Sequence, residues 1–449
     1  MQEKNRRKPN ILIIYCDDLG YGDLGCYGSE DAKTPHLDRL ASEGIRFTNW
    51  YSNSPVCSPS RAALLTGRHP ARAGVNEILG AKRGLHGLPE TEVTLAKALR
   101  AAGYRTALHG KWHLGVSEET GPNAHGFDEF FGFKAGCIDF YSHIFYWGQG
   151  SGLNPLHDLW EDETEVWENG RYMTELITER SVEFIRRQAE REEPFFLYAA
   201  YNAPHYPMHA PKEYMDRFAH LPWDRQVMNA MIAAVDDGVG AIVEELKKTG
   251  DYENTMIFFS SDNGPSPESR NWLDGTEDAY YGGSAGIFRG HKFSLFDGGI
   301  REPALLSWPA GFAGGRVLDE MAAMIDIVPT FLDLAEVDTA SGPLKDVRID
   351  GSSLKPMLQE GEPSPHQQLF WEYQGQLAVR EGDWKLVLNG RLDGSLPQPD
   401  RVHLSNLSED PGERINVADR HPELTERLTR AAQEWLSGLT GDSQERSNK

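Results

Sequence analysis

The chain has 449 residues, 39% of them hydrophobic and 10% aromatic, enough to fill more than one folded unit. Its 68 Asp and Glu outnumber 45 Lys and Arg, for a formal net charge of −23. That balance argues against a nucleic-acid partner, whose affinity comes from cationic contacts to phosphate, and against broad adhesion to anionic membranes or long polyanions; one local cationic pocket stays compatible with it.

At the N-terminus, Lys4, Arg6, Arg7 and Lys8 read as a solvated tail. The apolar run 11–15 behind them is too short for a signal segment, and no transmembrane span is expected. This leaves a cytoplasmic protein, or a periplasmic or secreted one whose signal has been removed. Residues 10–16 form a continuous apolar run closed by Asp17-Asp18, a strand buried on both faces. Thr34-Pro35 opens a helix with Leu37, Leu40 and Ala41 on one side.

Cys57-Ser58-Pro59-Ser60-Arg61 follows, then Ala62-Ala63-Leu64-Leu65-Thr66-Gly67-Arg68. Ser58 reads as an N-cap and Pro59 as the first helical residue. Cys57 would then point from just outside a helix N-terminus, where free N–H groups and the helix dipole favour an anion. Arg61 lies one turn on, near the same edge. A free cysteine is more often a small buried hydrophobe, so the motif needs support from the rest of the chain.

Residues 94–102, stopped by Gly103, read as a helix, and 104–109 as a strand that delivers Lys111-Trp112-His113. A helix at 174–188 precedes a buried strand at 194–201, which leads into Asn202-Ala203-Pro204-His205. A helix at 228–248 precedes a strand at 255–261 that ends in Asp262-Asn263-Gly264. Strands alternating with helices predict an α/β domain with a mainly parallel central sheet flanked by helices. Past residue 335 the texture changes to short strands at 369–373, 376–380, 384–388 and 402–404, then a helix at 422–436. The expected organisation is a catalytic domain over 1–335 and a smaller C-terminal domain over 336–449, with an antiparallel sheet and a terminal helix.

Ligands of an open parallel sheet bind beyond the carboxyl ends of its strands. Asp17 and Asp18, Lys111 and His113, His205, and Asp262 with Asn263 all follow such ends, so the topology gathers them on one rim. Singly each has an ordinary alternative: a turn-satisfying aspartate, a core histidine, a surface lysine, an Asn-Gly turn. Together they form a chemical set. Three carboxylates and an amide oxygen suit Ca²⁺ or Mg²⁺, Arg61, Lys111 and Lys292 supply fixed positive charge, and His113 and His205 can move protons near neutral pH. The sum is a metal-assisted site for a tetrahedral oxyanion ester with position 57 as nucleophile. The four cysteines, Cys16, Cys26, Cys57 and Cys137, show neither metal-ligand spacing nor a disulfide scaffold, and Cys16 reads as an inert core residue.

These residues resemble the type I sulfatases of the alkaline-phosphatase superfamily from about Pro9 to the C-terminus. The motifs are Cys57-Ser-Pro-Ser-Arg61 with Leu65-Thr-Gly-Arg68, Gly110-Lys-Trp-His-Leu-Gly115, Gly126-Phe-Asp-Glu-Phe-Phe-Gly132, Ala203-Pro-His205, Ser261-Asp-Asn-Gly264 and Gly298-Gly-Ile-Arg-Glu-Pro303. The resemblance implies an alkaline-phosphatase-like fold and oxidation of Cys57 to formylglycine by a maturation enzyme. The aldehyde hydrate would attack sulfur, the ester oxygen would leave as an alcohol, and loss of the second hydroxyl proton would expel sulfate and restore the aldehyde. It further implies Asp17, Asp18, Asp262 and Asn263 as Ca²⁺ ligands together with residue 57, with Mg²⁺ as second choice. Arg61 would stabilise the nucleophile, Lys111 and Lys292 grip sulfate, His113 assist the hydrate, and His205 protonate the leaving oxygen.

The segments 136–143 and 288–295 look most like arylsulfatase B-type (N-acetylgalactosamine-4-sulfatase-like) enzymes, which act on amino sugars. Phe140, Tyr141, Phe145, Tyr146 and Trp147 could form a sugar-stacking wall or simply pack. The expected substrate is a sulfated carbohydrate, taken as a short oligosaccharide or chain end. Two alternatives stand beside this reading: a phosphonate monoester or phosphodiester hydrolase of the same superfamily, and a catalytically inactive carbohydrate-binding relative.

Overall fold

The run Asn-Ile-Leu-Ile-Ile-Tyr-Cys forms strand β1, Asn10–Cys16, and its alternate side chains enter two separate cores. Leu12, Ile14 and Cys16 face one side and Ile11, Ile13 and Tyr15 the other, the burial expected of a central parallel strand. The computed structural model describes residues 8–81, 87–145, 155–267, 269–271, 276–279, 282–393, 396–397 and 400–447.

The main sheet continues through β2 (Ile45–Phe47), β3 (Arg105–Lys111), β4 (Glu129–Phe133), β5 (Trp160–Glu161), β6 (Thr164–Glu165), β7 (Phe195–Ala200), β8 (Thr255–Ser261), β9 (Ala304–Ser307) and β10 (Arg316–Leu318). Its ten strands run in the order β10-β2-β9-β8-β1-β7-β3-β4-β5-β6. The central strands β8, β1, β7, β3 and β4 are parallel, and antiparallel pairs flank them on both sides. The carboxyl ends of β1, β3, β7 and β8 therefore open on one rim, as the alternating pattern requires.

Helices cover both faces. On one lie α1 (Pro35–Glu43), α4 (Met173–Gln188) and α5 (Trp223–Thr249). On the other lie α2 (Cys57–Thr66), α3 (Leu95–Ala101) and α6 (Ile327–Leu334). By length and composition α5 could cross a membrane, a span the sequence reading did not single out; 78% of its most apolar window is buried inside the molecule. It also begins at Trp223, five residues before the expected start, behind Pro222.

A second sheet of four antiparallel strands, β11 (Gln368–Tyr373), β12 (Gln376–Glu381), β13 (Trp384–Leu388) and β14 (Val402–Asn406), forms near the C-terminus. Leu377, Val379, Leu386 and Leu404 turn to the terminal helix α7, Pro422–Ser447, meeting its Leu428 and Ala432. The opposite face, with Trp371, Tyr373, Ala378 and Val387, packs on Tyr51, Val56, Ala63 and Leu295 of the larger unit. A fully buried ion cluster reinforces this seam: Lys385 Nζ lies 2.6 Å from Asp297 Oδ1 and 3.2 Å from Glu413 Oε1. The helix α7 runs past the expected end at Leu436, because Leu439 is still buried.

Candidate active site

The first correction concerns Cys57. It does not precede α2 but opens it, with Val56 in an extended conformation as N-cap. The first helical bond runs from Ser60 N to Val56 O at 3.2 Å, and Ser58 Oγ accepts instead from Leu79 N at 3.1 Å. The thiol still sits at the positive end of a fully buried helix, among N–H groups without helical acceptors. Burial pushes its pKa up, more strongly than Lys111 and Lys292 pull it down. Burial thus favours the protonated form of a plain thiol here.

Around Cys57 the strand ends converge. Ligand atoms of Asp17, Asp18, Cys57 and His205 all lie within 4.8 Å of one another. Asp17 follows β1, and Lys111 Nζ donates to its Oδ2 at 2.6 Å. Lys111 is the last residue of β3 rather than part of the loop beyond it, which holds its ammonium rigidly. Asp18 has a positive φ of 64° and is tied to the end of β8: its N–H donates to Asp262 Oδ1 at 3.1 Å, and Asn263 Nδ2 donates to its Oδ1 at 2.7 Å. Lys292 Nζ donates to Asp18 Oδ2 at 3.1 Å. Gly264 lets the loop after β8 close on the 298–299 backbone, since a Cβ there would lie 1.9 Å from Gly298 O.

Arg61 projects from α2 beneath the cluster and is wholly buried. Its Nε and Nη2 donate to Asp262 Oδ2 at 3.0 and 2.8 Å, and Nη1 donates to Tyr198 Oη at 3.3 Å. The Tyr15 ring lies under the guanidinium, 5.3 Å from centroid to carbon. Burial, and then repulsion from Asp17, raises the Asp262 pKa to about 6. Asp18 is also raised, because its burial outweighs the attraction of Lys292.

The histidines occupy opposite flanks. His113 Nε2 donates to Leu79 O at 3.0 Å, which leaves Nδ1 buried and without a partner. Burial, then Lys111 and Arg61, drive its pKa well down, so the ring is neutral with a lone pair at Nδ1. His205 Nδ1 donates to Tyr206 O at 2.6 Å, and its Nε2 lies 3.3 Å from Lys292 Nζ and 3.5 Å from Asp18 Oδ2.

Nine of the ten predicted site residues, counting Cys57 once, are thus joined by hydrogen bonds or ligand-atom distances, and His113, bonded to Leu79, is near enough for Lys111 and Arg61 to act on its charge. The suggested aromatic wall fares differently. Phe140 is fully buried and stacked on Tyr172, 5.4 Å away, and Phe145 is 5% exposed, so both pack in the core. Tyr141 is half-buried against Tyr172 and His209. Tyr146 and Trp147 lie outside the described residues, as do the basic residues of the tail except Lys8, whose Nζ reaches Ala102 O.

Sequence reasoning passed over Tyr15 and Tyr198, which read only as apolar strand positions although their alternation shares the α2 face. It also gave no role to Glu302 of the Gly-Gly-Ile-Arg-Glu-Pro motif. That side chain is fully buried with Oε2 unpartnered, and burial, reinforced by Asp262, holds its pKa well up.

Fold and site together are those of an α/β enzyme of the alkaline-phosphatase superfamily, with charged strand-end residues gathered at the start of the helix that Cys57 begins. The sulfatase family model matches residues 9–337, and the model for the C-terminal part of N-sulphoglucosamine sulphohydrolase matches 283–437. The chain belongs to the sulfatase family, and its activity is that of a sulfuric-ester hydrolase. It is 36% identical to human arylsulfatase A, over 94% of this chain and 86% of that protein. It is 32% identical to mouse N-acetylgalactosamine-6-sulfatase, over 96% of this chain and 86% of that protein. The crystal structure of Ps i-CgsB in complex with k-i-k-neocarrahexaose superposes with a TM-score of 0.82 at 33% identity, covering 95% of this chain and 92% of that one. None of these three carries the 4-sulfatase name suggested by segments 136–143 and 288–295.

Proposed function

We propose that this sulfatase hydrolyses a sulfate monoester on a sulfated carbohydrate, through a formylglycine made from Cys57 and a bound Ca²⁺ ion. The observation that carries the reading is the cluster of Cys57, Asp17, Asp18 and His205 ligand atoms within 4.8 Å. A mammalian relative named for N-acetylgalactosamine and a carrageenan-oligosaccharide complex of a structural neighbour support the sugar.

The residues fit a hard divalent cation. Asp17 Oδ1 and Asn263 Oδ1 are buried with no hydrogen-bond partner, and Asp18 and Asp262 place further carboxylate oxygens beside them. An all-oxygen set of this charge suits Ca²⁺, with Mg²⁺ the alternative. Asp17, Asp18, Asp262, Asn263 and residue 57 would hold the ion, which supplies Lewis-acid stabilisation of charge on the sulfuryl oxygens. Formylglycine, once hydrated, supplies a hydroxyl nucleophile that a protonated thiol cannot.

The chain's own side chains do the rest. Lys111 and Lys292, paired with Asp17 and Asp18, would bind sulfate oxygens. Arg61 keeps Asp262 in place and sets positive potential beside residue 57. His113 offers Nδ1 as the base that accepts a hydroxyl proton from residue 57, its ring held by the Leu79 carbonyl. His205, fixed through Nδ1, presents Nε2 to carry the proton given to the departing ester oxygen.

The test pairs the mass of the tryptic peptide 47–61 with turnover of an aryl sulfate and an aryl phosphodiester. An aldehyde at position 57, sulfate preference, and loss of turnover in Cys57→Ala are expected. An intact thiol in fully active enzyme, or clear preference for the diester, overturns the reading.

A further inference from the structure

The C-terminal sheet approaches the site through the turn between its first two strands, among other contacts. Strands β11 and β12 are joined by Gln374-Gly375, with φ of 46° and 81°, so that Tyr373 pairs with Gln376. Both positive φ values fit a tight two-residue hairpin, and Gly375 accepts its value without strain. The Tyr373 ring shares an apolar cluster with Leu295 and with Val56, the residue before Cys57.

Gln376, 1% exposed, lies beside it. Its Nε2 donates to Phe293 O at 2.7 Å, and its Oε1 accepts from Leu295 N at 3.3 Å and from Arg391 N at 3.1 Å. One amide of the C-terminal sheet therefore grips the backbone immediately after Lys292. Phe293 has a φ of 75°, a region that bulky residues avoid, so its conformation has to be imposed by its surroundings. Phe293 N donates to Pro55 O at 3.0 Å, and Lys292 N donates to Pro265 O at 2.9 Å. The segment before α2, the loop after β8 and Gln376 thus hold this two-residue stretch from three sides.

We infer that Gln376 is a positioning residue for Lys292, so that sulfate binding in the larger unit depends on a side chain of the C-terminal sheet. The inference rests on the reading of Lys292 as a sulfate-binding residue. Without the Gln376 amide, the part-buried Phe293 carbonyl loses its donor and less opposes relaxation of Phe293 toward negative φ. That rotation would move the adjoining Lys292 away from its place beside Asp18.

The experiment measures inorganic sulfate as a competitive inhibitor of 4-nitrocatechol sulfate turnover by the full-length matured enzyme. Gln376→Met removes all three bonds at similar volume, and Gln376→Glu removes only the donor. Trp371→Phe is the control, since it deletes another bond across the same seam, Trp371 Nε1 to Ser52 O at 2.7 Å, while removing no hydrogen bond to residues 292–295. Both Gln376 variants should raise the sulfate inhibition constant and the aryl-sulfate KM by about five- to fiftyfold, whereas the control stays within about twofold at similar thermal stability. Unchanged constants in the Gln376 variants, or an equal change in Trp371→Phe, overturn the inference. Lys292→Ala, measured alongside, should weaken sulfate more than either; if it does not, the assignment of Lys292 fails and takes this inference with it.

Discussion

Arg61 directs two nitrogens at a single oxygen of Asp262, Nε at 3.0 Å and Nη2 at 2.8 Å to Oδ2, which leaves Oδ1 to accept from Asp18 N. The guanidinium thus braces two strand ends against α2 rather than reaching freely toward an incoming anion. Lysine keeps the charge but cannot make the fork or reach Tyr198 at the same time. Arg61→Lys should lose about 1–3 kcal/mol of stability and at least about a hundredfold in kcat/KM. Chemical denaturation and aryl-sulfate kinetics on one preparation check both.

Asp17 Oδ1, 3.6 Å from Arg61 Nη2, and Asn263 Oδ1 accept no hydrogen bond in a site that already brings together Asp18 and Asp262. Removing divalent ions with a chelator should therefore abolish turnover and lower the melting temperature, and added Ca²⁺ should restore both better than Mg²⁺. At a free Ca²⁺ concentration about a hundred times Kd, the stabilisation should approach about 2.7 kcal/mol. Thermal melts across a Ca²⁺ titration, run beside activity, read this directly.

The strand ends were legible because polar residues stop an apolar run abruptly: 10–16 and 255–261 match β1 and β8 to the residue. The start of α2 was misplaced because a Ser-Pro pair resembles an N-cap followed by the first helical position. Proline is tolerated throughout the first turn, where backbone N–H groups have no helical acceptor, so Pro59 fits equally well two residues further in. Contacts such as Arg61 to Tyr198, or Gln376 to Phe293, join residues 137 and 83 apart, and no local pattern encodes them. The aromatics at 140, 141 and 145 stayed open between a sugar wall and packing for a related reason: composition reveals stacking capacity, and only packing decides whether core or ligand uses it.

Lys385 is wholly buried between Asp297 and Glu413, and it joins the C-terminal sheet to the short helix Asp297–Ile300 that precedes Arg301 and Glu302. Burial pushes Glu413 up to about 7, whereas Lys385, with Arg301 and Arg380, outweighs burial at Asp297 and holds it near 2. Lys385→Met leaves these carboxylates without their central cation. The expected loss is about 3–5 kcal/mol, the usual result of breaking a buried pair from one side. Urea unfolding should show it, and Glu381→Gln, on the exposed face of the same sheet, should change stability by less than about 1 kcal/mol.

His366 contributes a pH dependence of known sign. Its Nε2 lies 2.9 and 2.8 Å from the two oxygens of buried Asp326. Burial alone would lower its pKa, but the bonds and charge of Asp326 win and raise it. The folded state therefore binds this proton more tightly than the unfolded state does. The stabilisation, about 1–2 kcal/mol, is complete below the unfolded value of about 6.5 and is lost as pH rises through the raised folded value. The stability difference between wild type and His366→Gln should shrink between mildly acidic and alkaline pH; a difference independent of pH would contradict the pairing.

The net charge of −23 bears on the size of the sulfated carbohydrate proposed as substrate. Lys111 and Lys292 lie inside the site, paired with Asp17 and Asp18, whereas outside it a polymer meets a chain in which acids outnumber bases. Repulsion over a Debye length of about 8 Å at physiological salt opposes the docking of an extended polyanion more than that of a short oligosaccharide carrying one or two sulfates. Sulfate release per ester should thus be faster from oligosaccharides than from the intact polymer. The gap should narrow as ionic strength rises, because screening weakens the repulsion outside the pocket first. Faster release from the polymer at low salt would place the productive contacts along the chain interior and contradict this account.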